Sequence, residues 1–145
     1  MYEISILADC GEFLKLSVAG RSHPDCDDYW DGNWLRASVD VRAGGFRGSV
    51  EGDIRAEELV AFHAQFVQLQ QSLEGLVAYD TLEDWLSIRA TGDGQGHIEI
   101  RCVVLDQPGI GNKLEFTLAS DQTYMKQTID QLLAATKAFP VIGRA

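Results

Sequence analysis

The side chains best suited to chemistry in this chain of 145 residues are three histidines, three cysteines and an aspartate-rich loop. His23, His63 and His97 share no HExxH or other paired spacing, so they do not form a zinc site of known pattern. Asp25, Asp27, Asp28 and Asp31 are oxygen donors on one short stretch. Counted from Asp25, however, Tyr29 stands at position five and Trp30 at position six, where a calcium loop requires glycine. Neither a metal nor another cofactor is expected. Cys10, Cys26 and Cys102 contain no CxxC pair. Cys26 has His23 nearby in sequence, but the surrounding acids raise a thiol's pKa and disfavour the nucleophilic thiolate, so an ordinary loop cysteine is expected.

Other reactive patterns fail on context. GSVEG at 48–52 places its serine one position early for a nucleophile elbow, and it falls in a predicted strand. GDGQG at 92–96 and GIG at 109–111 each precede a strand, whereas a phosphate cradle needs a helix N-terminus. Both read as turns. The pair Glu83-Asp84 is suited to acid–base work in principle, but nothing in the sequence gathers it into a pocket.

The elements that hold these residues are legible from periodicity. Tyr2–Leu7 and Glu12–Ala19 alternate apolar and polar residues as half-buried strands do, and Trp34–Val41 turns through Gly44-Gly45 into Phe46–Ile54. Leu59, Phe62, Phe66, Leu69 and Leu73 then form one helical stripe, with Asp53 expected as N-cap and Gly75 as terminator. Strands are expected again at Leu76–Tyr79, Trp85–Ala90, His97–Leu105 and Leu114–Ala119. A last helix starts near Ser120 or Asp121 and runs to about Ala138, with Met125, Ile129, Leu132 and Leu133 inward and Pro140 beyond its end. The order is ββββα-ββββα. It predicts an α+β fold of mostly antiparallel sheet, with two amphipathic helices covering one face. The length fits a single domain, 1–145, made of two halves (1–75 and 76–145) alike in outline, in which Trp34-Leu35 and Trp85-Leu86 occupy similar places.

Charge narrows the partner. The chain carries 22 acids against 12 lysines and arginines, a formal charge of −10. Such a field repels nucleic acid and anionic membranes and attracts basic partners. Free thiols, an N-terminus without a signal-peptide pattern and the lack of a long apolar run lead to the cytoplasm as the expected location. DYWDGNWL at 28–35 sets aromatic residues among acids, which suits an interface that grips arginine and lysine; alternatively, Trp30 or Trp34 caps the sheet edge and fills the core. The residues expected to touch a partner are Asp25, Asp27, Asp28, Tyr29, Trp30, Asp31, Glu83 and Asp84.

Four stretches carry a resemblance: DYWDGNWL at 28–35, TGDGQGHIEI at 91–100, DQPGIGNKLEF at 106–116 and DQTY at 121–124. Over roughly residues 28–141 the chain resembles the WapI-type immunity proteins. The resemblance implies a protein that neutralises the toxic domain of a contact-dependent growth-inhibition protein, a nuclease that cleaves transfer RNA. It implies no catalytic residues and supplies no map of the contact. Two other readings stay open: an enzyme whose site gathers His97, Asp93 and Asp106 from neighbouring turns, and a non-catalytic oligomeric scaffold module.

Overall fold

The computed structural model describes residues 1–145. Strands β1 (Tyr2–Leu7), β2 (Phe13–Arg21), β3 (Trp34–Ala43) and β4 (Phe46–Arg55) form one antiparallel sheet in chain order. Strands β5 (Glu74–Asp80), β6 (Leu86–Asp93), β7 (His97–Leu105) and β8 (Lys113–Asp121) form a second sheet with the same order. A short helix, α1 (Tyr29–Gly32), lies in the β2–β3 loop; α2 (Ala56–Ser72) follows β4, and α3 (Gln122–Ala138) follows β8. The fold is thus α+β with two antiparallel sheets, in the ββββα-ββββα order that the periodicity predicts.

Alternation explains the core. Leu14, Leu16 and Val18 of β2 meet Val41, Val39 and Ala37 of β3 in register, and Ile88 and Ala90 of β6 meet Cys102 and Ile100 of β7. These side chains join Leu59, Phe62, Phe66 and Leu69 of α2 and Met125, Ile129 and Leu132 of α3 in one cluster of 32 buried apolar residues. Gly52 of β4 is an obligate glycine: a Cβ there would collide with the indole of Trp85. Trp85 is thereby buried between the sheets, its Nε1 donating to the carbonyl of Asp53 (2.8 Å).

The two helices pack on each other and close the outer strands crosswise. Gln65 of α2 accepts a hydrogen bond from the Ala78 N–H of β5 (2.8 Å) and donates to the Ala78 carbonyl (3.1 Å). At the same position in α3, Gln131 accepts from the Ser5 N–H of β1 (2.7 Å), while Thr128 donates to the Ser5 carbonyl (2.7 Å). Each helix therefore satisfies edge groups of the strand that opens the other half, where an unpaired main chain would be costly.

Four local expectations are corrected. The N-cap of α2 is Arg55 rather than Asp53, because β4 stays paired with β3 as far as Arg55; Glu58 accepts from the Arg55 N–H (2.9 Å), the one half of a capping box that an arginine N-cap permits. That helix ends at Leu73, not Gly75: Leu73 is left-handed (φ 59°), and its carbonyl accepts from the Gly94 N–H (2.7 Å). Leu73 is consequently half-buried, and in α3 it is Thr128 and Ala135 that line the core while Leu133 faces out. Finally, Trp34 opens the third strand of its sheet whereas Trp85 precedes the second of the other, so the two tryptophans are not equivalent.

Candidate partner-binding surface

The β2–β3 loop is built around a buried arginine. Arg55, 1% exposed, donates to the carbonyls of Trp30 (2.7 Å) and Tyr29 (2.8 Å) and pairs with the Glu57 carboxylate. Its guanidinium lies 4.8–5.3 Å from the ring centres of Tyr29, Trp30 and Trp34, within cation–π range of all three. Asp28 caps α1 by accepting the Asp31 N–H (3.0 Å). Behind it, buried Asn33 donates to the carbonyls of Tyr29 and Ile142 (both 2.9 Å) and accepts from the Ile142 N–H (3.0 Å). Arg21 spans the Gly32 carbonyl (2.8 Å) and the Pro140 carbonyl (2.6 Å), so the segment after α3 locks the loop from below. Trp30 is held at its backbone and ring, yet it is 60% exposed.

A second loop joins this one through the first turn of α2. Glu58 accepts from the Leu82 N–H (2.8 Å) as well as from Arg55, linking the β5–β6 turn to the Trp30 loop. Thr81 Oγ1 accepts from the N–H groups of Trp85 and Leu86 (both 3.1 Å), and Asp84 takes a left-handed conformation (φ 56°) to complete the turn. The Asp84 carbonyl accepts from the Gly109 N–H (3.2 Å), which adds the β7–β8 loop. Leu82 and Ile110, 62% and 72% exposed, are carried on these two loops.

The structure therefore brings the expected residues to two adjoining loops. Asp25, Asp27, Asp28, Asp31, Glu83 and Asp84 are exposed, Trp30 projects among them, and Tyr29 is half-buried against Trp30 and Arg55. Arg55, Glu58, Asn33, Leu82 and Ile110 were not among the expected residues. No sequence signal pointed to them: a capping box is read from Ser, Thr, Asp or Asn three residues before Glu, and Arg55 before Glu58 does not offer that pattern.

The electrostatics of the surface oppose thiol chemistry. Partial burial pushes the Cys26 thiol above its ordinary pKa, and the carboxylates of Asp28, Asp31, Asp25 and Asp27 push it further. The Cys26 thiol lies within 4.8 Å of carboxylate oxygens of Asp28 and Asp31, but a neutral thiol is a poor metal ligand, and Asp28 is already engaged as a cap. Burial also raises the Glu58 carboxyl, against the lowering effect of the Arg55 and Leu82 N–H groups.

The residues of the enzymatic alternative are not gathered. Asp93 and His97 form an exposed pair (2.8 Å), each stabilising the charged form of the other. Asp106 lies beyond the opposite end of β7, nine residues and roughly 30 Å along the strand direction from His97, where it accepts from the Asn112 side chain (2.8 Å).

Two sheets closed crosswise by helices, with a pinned aromatic–acidic loop surface at the start of α2, define an acidic α+β protein with a prebuilt exposed face. The chain belongs to the Immunity protein WapI-like family, whose sequence model matches residues 5–140. Membership supports the role of an immunity protein, an inhibitor whose partner is a toxin. No curated protein matches the chain. No helix is long and apolar enough to cross a membrane.

Proposed function

We propose that the chain, acting in the cytoplasm as one domain over 1–145, neutralises a cognate toxin domain by seating the Trp30 surface on that domain's basic, nucleic-acid-binding face. The observation that carries this reading is Trp30 itself: a large aromatic side chain left 60% exposed although Arg55, Tyr29 and α1 fix its position. Interface energy concentrates on aromatic anchors of this kind, and an anchor already in place loses little entropy on binding.

Charge supports the choice of partner. Residues 22–33, 81–85 and 106–112 carry seven acids and no lysine or arginine, while the other 121 residues carry 15 acids against 12 bases. Most of the net −10 thus sits on the three loops around Trp30. The two bases that directly flank them in sequence are engaged, Arg21 with the Gly32 and Pro140 carbonyls and Lys113 with Glu115 (2.8 Å). A nuclease that binds a polyanion presents a basic face, and this surface offers it carboxylates at close range, steering association and occluding the site. A standard interface of about 1,600 Å² accommodates the three loops.

The experiment is co-expression with the toxin domain, followed by calorimetry on the purified pair. Growth rescue by the natural chain, loss of affinity for Trp30→Ala, and weakening with added salt are the expected results. Full rescue and unchanged affinity for a variant combining Trp30→Ala, Asp28→Asn and Glu83→Gln would refute the assignment of this face.

A further inference from the structure

Each four-stranded sheet has two outer strands, and the fold treats them differently. β1 and β5 are each covered by a helix that bonds one outward residue at mid-strand, Ser5 through Gln131 and Thr128 and Ala78 through Gln65. β4 has no such cover along most of its length. The Asp53 carbonyl accepts the Trp85 indole from outside the sheet, so Asp53 turns its main chain away from β3. By the two-residue repeat of an antiparallel ladder, Glu51, Ser49 and Arg47 do the same. Their N–H and C=O groups form a row of three donors and three acceptors without a partner in the chain, on exposed residues. β4 pairs with β3 over all ten residues without a bulge and contains no proline; what guards the edge is charge, Arg47 and Glu51, and those two charges have opposite sign.

The sequence of this edge is self-complementary. We propose that two copies of the chain associate through β4, antiparallel about a two-fold axis at Ser49. In that register Ser49 meets Ser49, and Arg47 of each copy lies opposite Glu51 of the other. The six outward main-chain groups of each strand then pair, and two cross-strand ion pairs form on the solvent face. On the other face Val50 lies opposite Gly48, a large residue against the smallest, so the strands meet without a clash. One four-stranded sheet from each copy becomes a continuous sheet of eight. Arg55 lies six residues from the axis, so the two Trp30 loops stand roughly 40 Å apart at opposite ends of the shared strand pair. The inference is independent of which molecule Trp30 binds.

Sedimentation equilibrium on the full chain tests it. The natural chain should show a concentration-dependent dimer. Arg47→Glu, which sets like charges opposite one another twice, should weaken association roughly 10- to 30-fold, and the charge swap Arg47→Glu with Glu51→Arg should restore it. Ser49→Pro, which removes the central N–H, should abolish the dimer while circular dichroism shows the fold intact. A natural chain that stays monomeric up to its solubility limit overturns the proposal. A dimer indifferent to Arg47→Glu and Ser49→Pro also overturns it, by placing the contact elsewhere. If the natural chain is monomeric and Ser49→Pro loses toxin capture, the edge takes a strand supplied by the toxin and the dimer is overturned.

Discussion

Replacing Arg55 by methionine tests whether the aromatic loop depends on one buried cation. Methionine keeps most of the volume and the apolar contact with the rings, but removes the charge and every donor. The variant loses the bonds to Trp30 and Tyr29 and leaves Glu57 without its cation; one oxygen of Glu57 already has no hydrogen-bond partner. Tyr29 retains a donor in Asn33, so its carbonyl is not orphaned, whereas that of Trp30 is. Breaking a buried ion pair from one side costs about 3–5 kcal/mol, a large part of the roughly 5–15 kcal/mol that holds a domain folded. At this chain length each kcal/mol lowers Tm by roughly 2–4 °C, so a fall of about 10 °C is expected. Arg55→Lys keeps the charge but not the planar fork, and should lose about half as much. Adding Glu57→Gln to Arg55→Met should recover about 1–2 kcal/mol, because it removes the stranded carboxylate. Urea unfolding followed by circular dichroism gives the energies, and tryptophan emission reports on Trp30 and Trp34. A loss below about 1 kcal/mol for Arg55→Met, or full additivity with Glu57→Gln, would refute the reasoning.

Four further outcomes follow from the geometry. Gln65→Ala and Gln131→Ala should each cost about 1–2 kcal/mol by leaving an edge N–H unpaired, and the two losses should add, as chemical denaturation of the single and double variants will show. The His97 pKa, read by NMR, should lie above its ordinary value in the natural chain and return towards it in Asp93→Asn, since the Asp93 hydrogen bond is the main cause of the rise. The contribution of His97 to stability is therefore full below the ordinary histidine pKa and fades as pH rises through the raised one. Asp93, held low first by the Gln95 N–H, loses its contribution as pH falls below the ordinary carboxylate range through its lowered value. A maleimide should label exposed Cys10 and leave Cys102, buried and with its thiol pushed up to about 12, unmodified in the folded state, with mass spectrometry as the readout.

The strands were legible because each alternates against a shared core, and both helices because their stripes keep one period over several turns. Local rules failed where tertiary contacts outvoted them. Asp53 has the right chemistry for an N-cap, but its backbone belongs to the β3–β4 ladder and its carbonyl to Trp85. Leu73 ends α2 in a conformation that favours glycine, at a typical cost of about 1–2 kcal/mol, because Gly92 leaves room for the approaching backbone and Gly94 bonds its carbonyl. The acids and aromatics of residues 25–31 were visible as a cluster. What fixes them was not, since a fully buried arginine runs against the usual distribution of charge and its aromatic partners lie about twenty-five residues away in sequence. The third loop was invisible for the same reason, being joined to Asp84 by a single main-chain bond.

The crosswise helices also determine how late in synthesis the fold can close. β1, the first strand to be made, has Ser5 satisfied only by Gln131 and Thr128 of α3, more than a hundred residues later. A ribosome translating at roughly 5–20 residues per second therefore exposes the first sheet's edge for several seconds before the helix that closes it emerges. During that interval the nascent chain is open to pairing with any strand it meets. A cell that relies on this protein for protection thus depends on the completed chain: truncation before α3 would leave both the core and the β1 edge unfinished, even with the entire Trp30 loop already made.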